Sequence, residues 1–125
     1  MNNKLIGSNW NNKDATPDAD IRRCKRLINN DIYLATTVLL NKDTIDLLVY
    51  NYKEAVDIMT SKQIKDFEET GILSGYLGLN WITDKNLDFK IPTGEILVIS
   101  DMKEDITSEN IKNLDDNRKV YMKVC

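Results

Sequence analysis

Histidine does not occur in this chain. Its absence removes His-based triads, the common zinc sites and the usual general base near neutral pH. Cysteine is scarce, with Cys24 on an expected helix and Cys125 as the last residue. Two such cysteines form neither a disulfide framework nor a metal-ligand spacing, and they read as free thiols in a reducing compartment. Long apolar runs are missing: the longest, such as Tyr33 to Leu40 and Ile96 to Ile99, fall far short of a bilayer. The opening MNNKLIGSNWNNK has no apolar signal-peptide core, so export is not expected. There is no basic excess either. Seventeen Lys and Arg stand against twenty Asp and Glu, for a net charge of -3, which gives no support for a nucleic-acid binder.

What is present is ordinary for a folded chain. The 125 residues are 42% hydrophobic and 30% charged, enough for one domain with a real core. Residues 1–15 are polar and Asn-rich around one large anchor, Trp10, and read as an N-terminal arm or loop. Residues 16–125 read as a single domain without repeats or linkers.

Thr16-Pro17-Asp18-Ala19-Asp20 is a helix start: Thr16 as N-cap, Pro17 at the first helical position, and Asp18 and Asp20 in the first turn, where the dipole favours negative charge. Ile21, Cys24 and Ile28 form its apolar stripe, with Arg22, Arg23, Lys25 and Arg26 around the other side. Asp31 to Leu40 reads as a strand whose end is apolar on both faces. Asn41 caps a helix from Lys42 to about Tyr50. Tyr52, Ala55, Val56 and Met59 keep helical spacing, as a core stripe would. A further helix starts at Thr60-Ser61 and stops at Gly71.

Leu77, Leu79, Trp81 and Thr83 alternate with Gly78, Asn80, Ile82 and Asp84, a period-2 strand pattern. Gly75 and Gly78 suit a bulge or a close backbone approach. Glu95 to Ser100 is a nearly all-apolar strand of the same sheet, reached by a loop centred on Leu87 to Ile91. Thr107 or Ser108 caps a short helix, and Arg118 to Val124 alternates as a final, half-exposed strand near an edge. Helices and strands mix without strict alternation. The fold class is therefore α+β, a mixed sheet of about four strands flanked by about three to four helices.

No catalytic constellation emerges, and an enzyme is not expected. Asp18/Asp20 and Asp115/Asp116 are explained by capping and turns. Ser74 lacks the glycine pattern of a nucleophile elbow. Cys24 on an apolar stripe reads as a small core residue. The acidic run Asp101, Glu104, Asp105, Glu109 lacks the spacing of a calcium loop. No cofactor or metal is implied.

The apolar and turn pattern resembles the central part of tailed-phage major capsid proteins, a fold shared with encapsulin shells. Trp10 with Ala15-Thr16-Pro17 and Asp20-Ile21 is similar to the entry into the helix before the capsomer-forming domain. Thr37-Val38-Leu39-Leu40-Asn41 with Thr44 and Leu47-Leu48 is similar to the buried strand that ends in an Asn-capped helix. Gly71-Ile72-Leu73, Tyr76-Leu77-Gly78-Leu79 and Trp81-Ile82 resemble the passage that follows. Pro92-Thr93-Gly94 with Ile96 to Ile99 resembles the strand after it. The likeness covers Trp10 to Ser100. The family's long arm, spine helix and β hairpin have no counterpart here, so it implies an axial domain, a fragment of a longer chain or a small relative.

The resemblance implies a structural virion protein whose copies pack into a shell through contacts between unlike faces. The candidate interface residues are Arg22, Arg23 and Arg26 on the basic helix face, Leu87 and Phe89 in the loop, and Asp101, Glu104 and Asp105 in the acidic segment. Leu87 and Phe89 have an equal alternative, folding back onto their own core. The expected partner is another capsid subunit, with no specific nucleic acid and no membrane. The competing reading is a small soluble protein-binding module, a phage-encoded inhibitor or immunity-type protein, located in the cytoplasm.

Overall fold

The two most apolar segments become the middle of the sheet. Strand β2 (Ala35–Leu40) and strand β5 (Glu95–Ser100) lie side by side and antiparallel, and from Val38 and Ile96 onward nearly every side chain in them is buried. The computed structural model describes residues 3–51 and 61–125. Around the central pair, six strands run in the order β1-β6-β5-β2-β4-β3. They are β1 (Asn3–Ile6), β3 (Ile72–Tyr76), β4 (Leu79–Thr83) and β6 (Lys119–Lys123) besides β2 and β5. β1 is parallel to β6 and β2 to β4, and the other pairs are antiparallel. Four helices are described: α1 (Pro17–Ile28), α2 (Lys42–Asn51), α3 (Ser61–Thr70) and α4 (Ser108–Asn113). The fold is a single α+β domain with a mixed sheet.

The expected four strands are β2, β4, β5 and β6, and they occupy the middle of the sheet. The two additional ones are its edges. β1 comes from the segment expected to be an arm, and β3 from the passage leading into the Leu77–Thr83 alternation. β1 adds to β6, so β6 lies one strand in from the edge, near it as expected. β3 and β4 form a hairpin with a register shift between Ser74 and Tyr76, and Gly75 and Gly78 both take positive φ there.

β2 is also shorter than expected, because side chains capture the backbone before it. Asn30 Oδ1 accepts from the amides of Ile32 and Tyr33 at 2.7 Å each, and Asn29 Oδ1 accepts from Ala35 N at 2.7 Å. These local bonds hold 29–34 as a loop in place of a sheet ladder.

Asn41 caps α2 as expected: its Oδ1 accepts from Thr44 N at 2.8 Å. Its Nδ2 donates to Ile91 O and Thr93 Oγ1, which ties the helix start to the loop before β5. Gly71 ends α3 with φ +74°, and a Cβ there would sit 2.5 Å from Thr83 Oγ1. Both conformation and space therefore demand glycine. Thr16 holds the N-cap position of α1 without a side-chain cap; its amide donates to Ser8 Oγ. The helical stripe expected over Tyr52, Ala55, Val56 and Met59 lies outside the described residues.

Alternation along the strands separates two cores. On one face, α1 lays Ile21, Cys24 and Ile28 over Val98, Val120 and Met122, and Trp10 and Trp81 join the same cluster. On the other, Leu39, Leu97 and Ile99 meet Ile91, Ile111 and Leu114 from the 87–92 loop and the α4 region.

Candidate interaction surfaces

Helix α1 distributes its basic residues. Arg22 and Arg26, four apart, are exposed on the outer side. Arg23 turns toward the β1 edge, where Nη1 donates to Ile6 O at 2.9 Å. Lys25 turns toward the β3–β4 turn and donates to Leu77 O at 2.9 Å. The expected single basic face is thus an exposed pair flanked by two residues that bind backbone carbonyls.

Leu87 and Phe89 are half-buried and packed against the Leu39–Leu97 cluster, which is the fold-back alternative. Asp84 and Asp88 fix their loop. Asp84 Oδ2 accepts from Ile91 N at 3.3 Å and Asp88 Oδ1 from Ser108 N at 2.8 Å. Asp101, Glu104 and Asp105 are all exposed, as an interaction segment requires. The base of that segment is anchored by Arg118, whose Nε donates to Ser100 Oγ at 2.7 Å and whose Nη2 donates to Asp101 O. The same guanidinium lies 4.7 Å from the centre of the Tyr33 ring.

The structure adds apolar residues that the sequence reading did not single out. Ile32 is 80% exposed and Leu34 63%, both in the loop beside the acidic segment. Ile6 is 76% exposed on β1. Register puts these at opposite ends of the sheet. Ile6 pairs with Lys123, which pairs with Glu95, the first residue of β5. Ala35, next to Leu34, pairs with Ser100, the last residue of β5. At about 3.4 Å per residue the two ends are roughly 17 Å apart. Lys4, Lys123 and Arg23 surround Ile6, with Glu95 the one carboxylate beside them in register. Asp101 and Glu104 lie around Ile32 and Leu34, with Lys103 and Arg118 among them, and Asp31 precedes Ile32 in the chain. The signal for the second patch was in the sequence: Asn29 and Asn30 directly follow the α1 stripe, and asparagine side chains there can hold the next residues out of the sheet.

A cleft of about 490 Å³ opens on the α4 side of the sheet. Its floor is Ile91, Leu97, Ile111 and Tyr121, and Lys90 and Lys112 stand exposed at its rim. Lys119 lies in its wall, buried, with Nζ donating to Ile111 O at 2.9 Å and Lys112 O at 3.3 Å, and 3.9 Å from Asp116. Burial, and then the Asp116 carboxylate, hold the Tyr121 phenol above its usual range.

Burial, reinforced by Asp20, pushes the Cys24 thiol up to about 12, so it stays protonated and packs as a small apolar group 3.9 Å from Met122 Sδ. Among the described residues no three His, Cys, Asp or Glu side chains gather as a metal site, and no helix is long and apolar enough to cross a membrane. Comparison with known proteins finds no matching family model, no matching curated protein and no matching solved structure.

Proposed function

We propose that this chain is a structural subunit that associates head to tail with copies of itself, in a virion shell of the tailed-phage capsid type. The observation that supports this reading is the pair of unlike patches at the two ends of the sheet. One is apolar with a basic rim (Ile6, Lys4, Lys123), and the other apolar with an acidic rim (Ile32, Leu34, Asp101, Glu104). Apolar centres supply contact area, and opposite rims favour the unlike pairing over the like one. Contacts between unlike faces propagate, and they close into rings when the rotation per copy allows. Arg22 and Arg26 are a further basic surface that such packing can use.

Light scattering after size exclusion, across concentration and salt, tests the proposal. The expected result is larger species that grow with concentration and recede as salt screens the rims. Ile6→Asp, or the pair Ile32→Asp and Leu34→Asp, abolishes them. A monomer at every concentration, unchanged by these substitutions, overturns the proposal. Charge reversal at Arg22 and Arg26 that leaves assembly and its salt response intact removes α1 from the interface.

A further inference from the structure

We infer that the cleft beneath α4 is a docking site for an acidic segment of another protein, one that inserts an apolar side chain between flanking carboxylates. The cleft shares no lining residue with the Ile32–Leu34 patch and adjoins the Ile6 patch, with Glu95 and Tyr121 common to both. It lies on the face of the sheet opposite α1, between the Phe89–Glu95 loop, α4 and strands β5 and β6. Its volume of about 490 Å³ accommodates one or two side chains of a peptide.

The chemistry of its lining selects the occupant. The floor is aliphatic, with the ring of Tyr121 at one side. A buried apolar anchor gains there by leaving water. The rim carries Lys90 and Lys112, both exposed, while the buried Lys119 ammonium in the wall is turned to the Ile111 and Lys112 carbonyls and lies 3.9 Å from Asp116. Glu95 is the single carboxylate among the lining residues. This concentration of lysine occurs in a chain whose net charge is -3, so the local sign is opposite to that of the molecule. An acidic ligand is drawn to the cleft and repelled by the acidic end of the sheet.

Several features keep the site preformed. Lys119 Nζ grips the carbonyls of Ile111 and Lys112 and fixes α4 against β6. Asp88 holds the start of α4 through the Ser108 amide, and Asn41 holds the loop through Ile91 O and Thr93 Oγ1. Little ordering is then left to accomplish on binding, which favours affinity. Single-stranded nucleic acid is the other polyanion to weigh. It prefers aromatic platforms for successive bases. Tyr121 is the one exposed aromatic residue of the lining, since Phe89 is half-buried against the Leu39–Leu97 cluster.

The test is a fluorescence-anisotropy titration of the full chain against a labelled synthetic peptide of about six residues, alternating glutamate with isoleucine. Saturable binding with a dissociation constant of about 10–500 μM is expected. Lys90→Glu with Lys112→Glu weakens it at least about tenfold without shifting the melting temperature. Lys112→Ala alone weakens it about threefold, which covers the case in which the double variant folds poorly. Replacing the isoleucines of the peptide by serine also removes binding. Ile32→Asp with Leu34→Asp and the Arg22/Arg26 reversal leave it unchanged, which separates this site from the end-to-end contact. The inference is overturned if no saturation occurs up to millimolar protein. It is equally overturned if the serine peptide binds as well, or if an oligothymidylate binds through Lys90 and Lys112 and the peptide does not.

Discussion

The two faces of the sheet are built by different means. The α1 face is closed by a long amphipathic helix and carries the large side chains. Trp10 and Trp81 lie 6.1 Å apart, Tyr76 lies 5.3 Å from Trp81, and Trp81 Nε1 donates to Tyr76 O at 2.8 Å. Among the described residues the opposite face is closed by a loop and one short helix, with no tryptophan in its cluster, and it leaves a cleft beside Tyr121. Aromatic residues bury the most area each and make directional contacts, so the first face should set the stability of the domain. The second is the cheaper place to keep an opening, because fewer packed contacts are forgone there.

Trp81→Ala is the largest test of this difference. It removes a fully buried indole between two aromatic neighbours together with its hydrogen bond to Tyr76 O, at a cost of about 4 kcal/mol or more. Leu97→Ala on the other face removes a side chain that borders the cleft, where water and neighbours can fill in, and should cost about 2–3 kcal/mol. Urea unfolding of the two variants measures the gap. Equal losses would mean that both faces contribute alike.

Next comes the buried carboxylate of the α1 face. Asp20 is 3% exposed and accepts from Ser8 N at 2.9 Å, from Trp10 Nε1 at 2.8 Å and from Ser8 Oγ. Truncation to Ala leaves these donors without their acceptor beneath Trp10, for a loss of about 3 kcal/mol. Since Ser8 and Trp10 follow β1 directly, Asp20→Ala should also release β1 from β6. Hydrogen exchange should show residues 3–10 losing protection ahead of β2 and β5.

How much of this was legible depends on whether the cause is local. β2, β4, β5 and β6 announce themselves by apolar runs or alternation within their own residues. β1 does not: Asn3-Lys4-Leu5-Ile6 is polar at its start, and its reason for being extended is a partner at Val120–Lys123, more than a hundred residues away. β3 was obscured by Gly75, whose bulge interrupts the alternation. Asp20 was read through the helix dipole because its position in the first turn fits that role. Its burial comes from Ser8 and Trp10, which only the tertiary fold brings near. For the interface, the charges of Arg22, Arg26, Asp101, Glu104 and Asp105 were visible as exposed candidates. The apolar centres Ile6, Ile32 and Leu34 were not, because exposure of an aliphatic residue follows from what fails to cover it.

On the cleft side, Lys119 is the counterpart of Asp20, a charged side chain spent on structure. Lys119→Met keeps the apolar stem and removes the ammonium from the carbonyls of Ile111 and Lys112. The global cost should be about 1–2 kcal/mol, smaller than for Asp20, because both carbonyls end a short helix and water can reach them through the cleft. Local hydrogen exchange in α4 should accelerate more than the global loss predicts. A uniform change across the domain would show that α4 does not open on its own.

The smallest effect within an accessible range is alkaline. Cys24 lies in the α1 core, and its thiol titrates at about 12 in the folded chain against 9.0 for an unburied thiol. Below pH 9 both states keep the proton and the thiol adds no slope. Above it the unfolded chain releases its proton first, so stability falls by about 1.4 kcal/mol per unit of pH until the folded thiol also ionises. Lysines and tyrosines titrate in the same window, so the quantity to read is the difference between the native chain and Cys24→Ala in urea unfolding at pH 8 and pH 10. The native chain should lose about 1.4 kcal/mol more than the variant over that interval. Thiol reagents provide the kinetic version: Cys125, exposed, should react at once, and Cys24 only at the rate at which the α1 face opens. If both thiols react together at pH 8, that face opens as readily as the cleft side, and the contrast between the two faces fails.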